Sequence, residues 1–182
     1  RDTMSELYDA LSDLTDRTLD IVLDALELRG DDRKIVVCDR RGSMLRLNHY
    51  PVGDPVPDDE RKGLAELGPT ALGYHTDPGI ITLLIQDDTG GLQTESYQHG
   101  WIDVPPQPST IVVNLGDCMQ AYTNDRYRAA VHRVVPMTER RRFSIPYFSN
   151  PPRNATIAPL AALSRDGERY RAFAWREFMD AR

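Results

Sequence analysis

The residues best equipped for chemistry are His75, Thr76 and Asp77 in one run and His132, 55 positions past Asp77 (132 − 77) within Ala129-Ala130-Val131-His132-Arg133-Val134-Val135. Two imidazoles and a carboxylate form a facial ligand set, which holds a metal ion on one side and leaves its other positions open. Successive side chains on a β-strand point to opposite faces, so His75 and Asp77 can reach one ion together while Thr76 turns away. On iron(II) three protein ligands leave three positions, enough for oxygen and a chelating co-substrate. Zinc accepts the same three groups with one water, but the sequence offers no base for such a hydrolase. His49, between Asn48 and Tyr50, and His99, at the turn-like tip Tyr97-Gln98-His99-Gly100, are assigned no metal role.

Ten residues beyond His132 stands Arg142, followed two positions later by Ser144 and so on the same strand face. The turn run Pro136-Met137-Thr138-Glu139 predicts a hairpin centred on Met137, in which His132 opposes Arg142 with Cβ atoms about 5 Å apart. A guanidinium beside a metal ligand suits a dicarboxylate that chelates the ion with one end and forms a bidentate ion pair with the other. A zinc hydrolase leaves Arg142 and Ser144 without a task.

These groups need a frame. Met4, Leu7, Leu11, Leu14, Ile21, Val22, Ala25 and Leu26 recur at helical spacing and Gly30 supplies a stop, so a long amphipathic helix, open to a break near Asp16, is expected to cover a sheet. Ile35-Val36-Val37-Cys38 fits a short strand or a helical turn. From Met44 the texture changes to short β-rich runs parted by Gly, Pro, Asp and Asn, with strands expected near 44–50, 71–76, 80–86, 91–94, 101–104, 110–114, 129–135 and 142–148. Eight short strands suit a double-sheet jelly roll. Pro51 to Pro57 is expected as a loop, Asp87-Asp88-Thr89-Gly90-Gly91 as a hairpin turn and Pro105-Pro106-Gln107-Pro108 as a rigid connector. A surface helix over Arg165–Arg182 is expected to pack Phe173, Trp175 and Phe178 on the barrel. The fold is thus mainly β with flanking helices: a helical segment 1–43, a jelly-roll core 44–152 and a C-terminal loop and helix 153–182.

At 182 residues, 40% apolar and 27% charged, the chain fits one globular domain with a sizeable core. Its net charge of −6 gives no electrostatic reason to expect nucleic acid or an anionic membrane as partner, and Arg140-Arg141-Arg142 is a short local run of the kind that forms a solvated face. Cys38 and Cys118 lie 80 positions apart and are expected as buried free thiols. No apolar stretch approaches the ~20 residues of a membrane span and no signal-peptide pattern opens the chain, so the expected setting is cytoplasmic. Arg1 opens directly into a helical pattern, which reads as a fragment or a processed product.

One set of motifs runs through the chain in order: Leu45-Arg46-Leu47-Asn48-His49-Tyr50-Pro51, His75-Thr76-Asp77-Pro78-Gly79 continuing to Asp87, Gly91-Leu92-Gln93, Trp101-Ile102-Asp103-Val104-Pro105, Val113-Asn114-Leu115-Gly116-Asp117, and the His132 and Arg142-x-Ser144 segments. In these the chain resembles, from Leu45 to about Pro152, the isopenicillin N synthase-like branch of the Fe(II)/2-oxoglutarate-dependent dioxygenases. The resemblance implies that His75, Asp77 and His132 bind Fe(II) and form the catalytic centre, and that Arg142 and Ser144 hold the distal carboxylate of 2-oxoglutarate. It further implies that Asn48 and Tyr50 help seat that co-substrate and that Phe148 lines the substrate pocket. The implied reaction uses O2 to hydroxylate or desaturate a small organic molecule in specialised metabolism, releasing succinate and CO2. Asp77 occupies the ligand place that halogenating relatives leave open for chloride. Two departures from the family pattern bear on this. Only the last helix of the usual N-terminal segment is present, and some relatives keep Arg-x-Ser without consuming 2-oxoglutarate. An oxidase of the same fold and a noncatalytic jelly-roll module that binds a metal or acid are therefore the alternatives.

Overall fold

The alternating run Arg142-Phe143-Ser144-Ile145-Pro146-Tyr147-Phe148-Ser149 forms the longest strand, and its two faces do different work. In the computed structural model, which describes residues 2–53 and 71–181, the chain opens with α1 (Asp2–Ala25) and α2 (Gly30–Ile35). There follow β1 (Met44–Leu45), β2 (Asn48–Tyr50), β3 (Leu72–His75), β4 (Ile81–Gln86), β5 (Leu92–Ser96), β6 (Gly100–Asp103) and β7 (Val112–Leu115). Next come α3 (Asp117–Tyr122), β8 (His132–Val134) and β9 (Arg142–Ser149), then β10 (Thr156–Ile157), β11 (Phe173–Ala174) and α4 (Trp175–Asp180). One antiparallel sheet has the order β1-β9-β4-β7, with β2 also paired to β9; a second has the order β3-β8-β5-β6. The two face each other across a cavity lined from both, which makes the expected jelly roll.

Side-chain alternation sorts this sheet into an inner and an outer face. Arg142, Ser144, Pro146 and Phe148 of β9 line the cavity together with Thr82 and Leu84 of β4. The intervening Ile81, Leu83 and Tyr147 are fully buried on the outer face in one cluster with Leu11, Leu19 and Leu23 of α1. Tyr147 shares a hydrogen bond of 2.7 Å with Ser12 Oγ and meets the ring of Tyr8 edge-on at 5.2 Å. The helix therefore sets its buried stripe by what faces Tyr147. Ser12 and Thr15 are buried, their hydroxyls donating to Tyr8 O and Leu11 O, whereas Leu14 and Ile21 are exposed at 37% and 69%.

The helix runs unbroken past Asp16, and Gly30 is not its stop. Glu27 takes the left-handed conformation (φ 56°), its N–H donates to Asp24 O, and Leu28 N–H donates to Leu23 O with both leucines buried. This is a Schellman closure with glutamate where glycine is usual. Gly30 (φ 61°) instead opens α2, which ends at Ile35, so residues 36–38 form neither strand nor helix.

Three expectations about pairing and extent are corrected. The expected hairpin between His132 and Arg142 does not form. Both edges of β9 are taken by β1/β2 and β4, and both edges of β8 by β3 and β5, so the Pro136–Glu139 segment carries the chain from one sheet to the other. The Asp87–Gly91 turn likewise joins β4 to β5 in opposite sheets and is no hairpin turn. The C-terminal helix is confined to Trp175–Asp180, because Gly167 (φ 109°) turns the chain and Asn124 ties it down through Gly167 O at 2.9 Å and Arg169 N at 2.8 Å. Phe173 stands on β11, paired with Ile157. The strand expected over 44–50 is two short pieces, β1 and β2. Most of the expected 51–57 loop lies outside the described residues. Among those described, no helix is long and apolar enough to cross a membrane.

Candidate metal centre and its cavity

His75 closes β3 directly opposite His132 on β8, their ring centroids 4.3 Å apart. Each ring is oriented by its own strand: His75 Nδ1 lies 2.8 Å from Gly73 O and His132 Nδ1 3.0 Å from Ala130 O. A carbonyl only accepts, so the proton sits on Nδ1 and the Nε2 lone pair of each ring is free for a metal. Both Nε2 atoms face Asp77 Oδ1, at 3.9 Å from His75 and 3.8 Å from His132. One ligand atom from each of the three residues lies within 4.8 Å of the others, a grouping able to hold one ion. Asp77 is 3% exposed, and its other oxygen, Oδ2, accepts a 2.7 Å hydrogen bond from Asn114 Nδ2.

The loop that carries Asp77 is fixed by the start of α3. A helix leaves its first N–H groups without internal acceptors, and here Asp117 N donates to Asp77 O at 2.8 Å while Cys118 N donates to Gly79 O at 3.1 Å. Gly116 N donates to Ile80 O at 3.0 Å, and a Cβ at Gly116 would stand 2.3 Å from Gly79 O and 2.7 Å from Asp77 O. Glycine is required there for close approach.

Across the cavity, Arg142 is 1% exposed. Its Nη1 donates to Ser144 Oγ at 3.2 Å, its Nη2 to Gln86 Oε1 at 3.1 Å, and the guanidinium lies 4.9 Å from the Tyr50 ring centroid. Nε is buried with no hydrogen-bond partner. Burial pushes the guanidinium below its ordinary range, and Tyr50 and Asp87 only partly offset this. A buried charge without a counterion costs several kcal/mol, on the order of what an entering carboxylate would recover.

His75, Asp77, His132, Arg142, Ser144, Asn48, Tyr50 and Phe148 all line one cavity of about 440 Å³, within the ~300–1,000 Å³ range of small-molecule sites. His49 points away and stacks on Phe143 at 4.7 Å, and His99 is exposed at the β5–β6 tip. Of the arginine run, Arg140 pairs with Asp88, whereas Arg142 is not on a solvated face at all. Sequence reasoning missed Asn114, Gln86 and Arg46. Asn114 interrupts an apolar strand and Arg46 shares the two-residue period of Asn48 and Tyr50, so both carried a local signal; Gln86 becomes visible only through its pairing with Ser144 across β4 and β9.

The donor chemistry fits Fe(II): two neutral imidazoles and one carboxylate on one side of the ion. The uncompensated Arg142 beside Ser144 fits one carboxylate of 2-oxoglutarate. Residues 41–151 match the model of the 2OG-Fe(II) oxygenase superfamily. Gibberellin 2-beta-dioxygenase 2 of Arabidopsis thaliana is 34% identical over 182 residues, covering 98% of this chain and 51% of that protein. Gibberellin 3-beta-dioxygenase 2-3 of Triticum aestivum is 36% identical, covering 98% of this chain and 48% of its own. The chain thus spans about half the length of the curated relatives it matches. Among solved structures, JOX2 in complex with 2OG, Fe and JA superposes with a TM-score of 0.82 at 28% identity, over 100% of this chain and 52% of that one. A full-length Neurospora crassa protein solved with alpha-KG and thymine gives 0.79 at 30% identity, over 98% and 54%. The cavity that gathers two histidines, one aspartate and a buried arginine therefore lies in a fold shared with a protein crystallised with this metal and this co-substrate, and the chain belongs to the 2OG-Fe(II) oxygenase superfamily.

Proposed function

We propose that the protein is a dioxygenase that hydroxylates or desaturates a small organic molecule of the kind handled in specialised metabolism. His75, Asp77 and His132 hold Fe(II), Arg142 and Ser144 hold the distal carboxylate of 2-oxoglutarate, Asn48 and Tyr50 flank it, and Phe148 lies against the substrate. The observation that carries this reading is Arg142: a guanidinium buried without a counterion in the same cavity as the three ligands. With Fe(II) and 2-oxoglutarate bound, O2 supplies one oxygen to the co-substrate, which leaves as succinate and CO2, and the other to the substrate as hydroxyl or to water in a desaturation.

The chain's own residues contribute placement. Gly73 O and Ala130 O keep both imidazoles neutral and aimed, Asn114 keeps Oδ1 of Asp77 toward them, and Gln86 with Ser144 holds the Arg142 fork. The apolar wall of Leu84, Val104, Val112 and Val134 excludes water from the reacting centre. The test is succinate release from 2-oxoglutarate by iron-loaded protein under oxygen. The expected result is release that Asp77→Ala abolishes while circular dichroism and the melting temperature stay near native. Release undiminished in Asp77→Ala, or none from the native protein, overturns the reading.

A further inference from the structure

Arg46 is the second arginine on the cavity wall, and among the described residues it has no acidic partner. That is unusual in this chain, which has 28 acidic residues against 22 basic ones. Even exposed arginines here find carboxylates: Arg33 reaches Asp20 and Asp24, Arg40 reaches Asp13 and Asp16, and Arg140 reaches Asp88. Arg46 stands instead at the exposed rim of a cavity whose lining contains one acid, Asp77, already turned toward the histidines.

Strand register locates it. The pairings of Met44 with Phe148 and Asn48 with Ser144, and the bond from Arg46 N to Pro146 O at 3.0 Å, put Arg46 opposite Pro146. Arg142 is opposite Tyr50, four residues farther along, about 13 Å at the rise of a strand. Arg46 belongs to the edge formed by β1 and β2, and Asn114, the hydrogen-bond partner of Asp77, to the opposite edge β7. Three strand spacings, about 14 Å, separate those edges. The two arginines thus serve different anions: Arg142 an acid at the closed end, Arg46 one that enters from the rim.

We propose that Arg46 binds the carboxylate of the substrate, so that the substrate is an apolar monocarboxylic acid oxidised at a carbon within about 14 Å of its carboxyl group. This rests on the dioxygenase reading above and extends it to the substrate class. The chemistry supports a carboxylate in particular: a guanidinium matches it with two parallel hydrogen bonds. A phosphate dianion would want more cations than the single arginine at the rim. The rest of the acid meets Leu84, Val112, Val113 and Phe148.

The test uses the full chain loaded with Mn(II) and 2-oxoglutarate without oxygen, and calorimetric titration of decanoate, 4-phenylbutyrate and 1-naphthaleneacetate, each beside its primary amide. We expect at least one acid to bind about ten-fold or more tighter than its amide, the worth of one charge-assisted pair. Arg46→Gln removes that preference, Arg46→Lys keeps part of it, and the affinity for 2-oxoglutarate stays within about two-fold in both. Amides that equal their acids, a preference that survives in Arg46→Gln, or no binding by any of the six overturns the role of Arg46. If 2-oxoglutarate itself fails to bind the Mn(II)-loaded protein, the dioxygenase reading falls and this proposal with it; if it binds and the acids show no preference, only the assignment of Arg46 is lost.

Discussion

Asn114 decides which oxygen of Asp77 the histidines face. Its Nδ2 occupies Oδ2 at 2.7 Å, so Oδ1 is the ligand atom left over. Replacing it with leucine, close in size but without a donor, frees the carboxylate to rotate or to chelate through both oxygens. Groups that orient a metal ligand are worth about 10–100-fold in metal affinity. We therefore expect Asn114→Leu to weaken Co(II) or Fe(II) binding by at least about ten-fold, with an altered visible spectrum of the Co(II) protein; an unchanged spectrum and affinity would show that Asp77 is held by its loop alone. Gln86 plays the matching part for Arg142, accepting from Nη2 at 3.1 Å. Gln86→Leu strands that N–H in an apolar setting, at a cost of about 1–3 kcal/mol. The expected signature is a several-fold higher KM for 2-oxoglutarate with kcat near native, and a kcat loss at unchanged KM would refute it. The site residues themselves were legible because a two-residue period is local. His75 with Asp77 and Arg142 with Ser144 needed only an assumed strand, and β9 and the end of β3 supply it.

Pairing between elements was not legible in the same way. A hairpin centred on Met137 satisfies the arithmetic of His132 and Arg142, but arithmetic cannot know that each strand's edges are already filled by strands from 28 or more residues away, such as Gln86 with Ser144 and Thr94 with His132. Proximity of guanidinium and metal ligands was the right expectation from the wrong geometry: they meet across the sandwich, not along a ladder. The C-terminal helix failed for a related reason, since hydrogen bonds from Asn124, in a turn after α3, override helical spacing between residues 165 and 172. The junction of β7 with α3 is the element-scale feature on which the metal depends. Gly116→Ala puts a methyl 2.3 Å from Gly79 O and 2.7 Å from Asp77 O, both backbone atoms that cannot step aside alone. The loop must shift, taking Asp77 with it. We expect this one methyl to abolish detectable metal binding and lower the melting temperature by several degrees, about the effect of an overpacked core substitution of 1–3 kcal/mol. Calorimetry with Mn(II) and thermal unfolding check it, and native-like metal affinity in a folded Gly116→Ala protein would show that the contact is not what positions the ligand.

At the scale of the whole molecule, composition correctly indicated a sizeable core, and the buried apolar cluster joins α1, the β4 and β9 face, α3 and the C-terminal segment. That cluster also holds titratable groups that the chemistry does not use. Burial pushes the Cys38 thiol up to about 11 and raises Cys118 and Tyr122 as well; burial together with the Tyr147 hydroxyl pushes Tyr8 up to about 12. All are neutral when protonated, so below pH ~8.5 folded and unfolded chains bind these protons alike and the groups leave stability untouched. Above that, the unfolded thiols ionise from about 9 while the folded Cys38 retains its proton until about 11. The folded state then binds more protons than the unfolded one, and stability falls as pH rises through this window. The melting temperature should hold level from pH 7 to 8.5 and drop by on the order of 5 °C or more by pH 11. Cys38→Ala, which removes one ionising thiol from the unfolded chain, should flatten that slope while lowering the plateau slightly through lost packing. A slope identical in native protein and Cys38→Ala would place the alkaline sensitivity elsewhere, with Tyr8 and Tyr122 the groups to replace next.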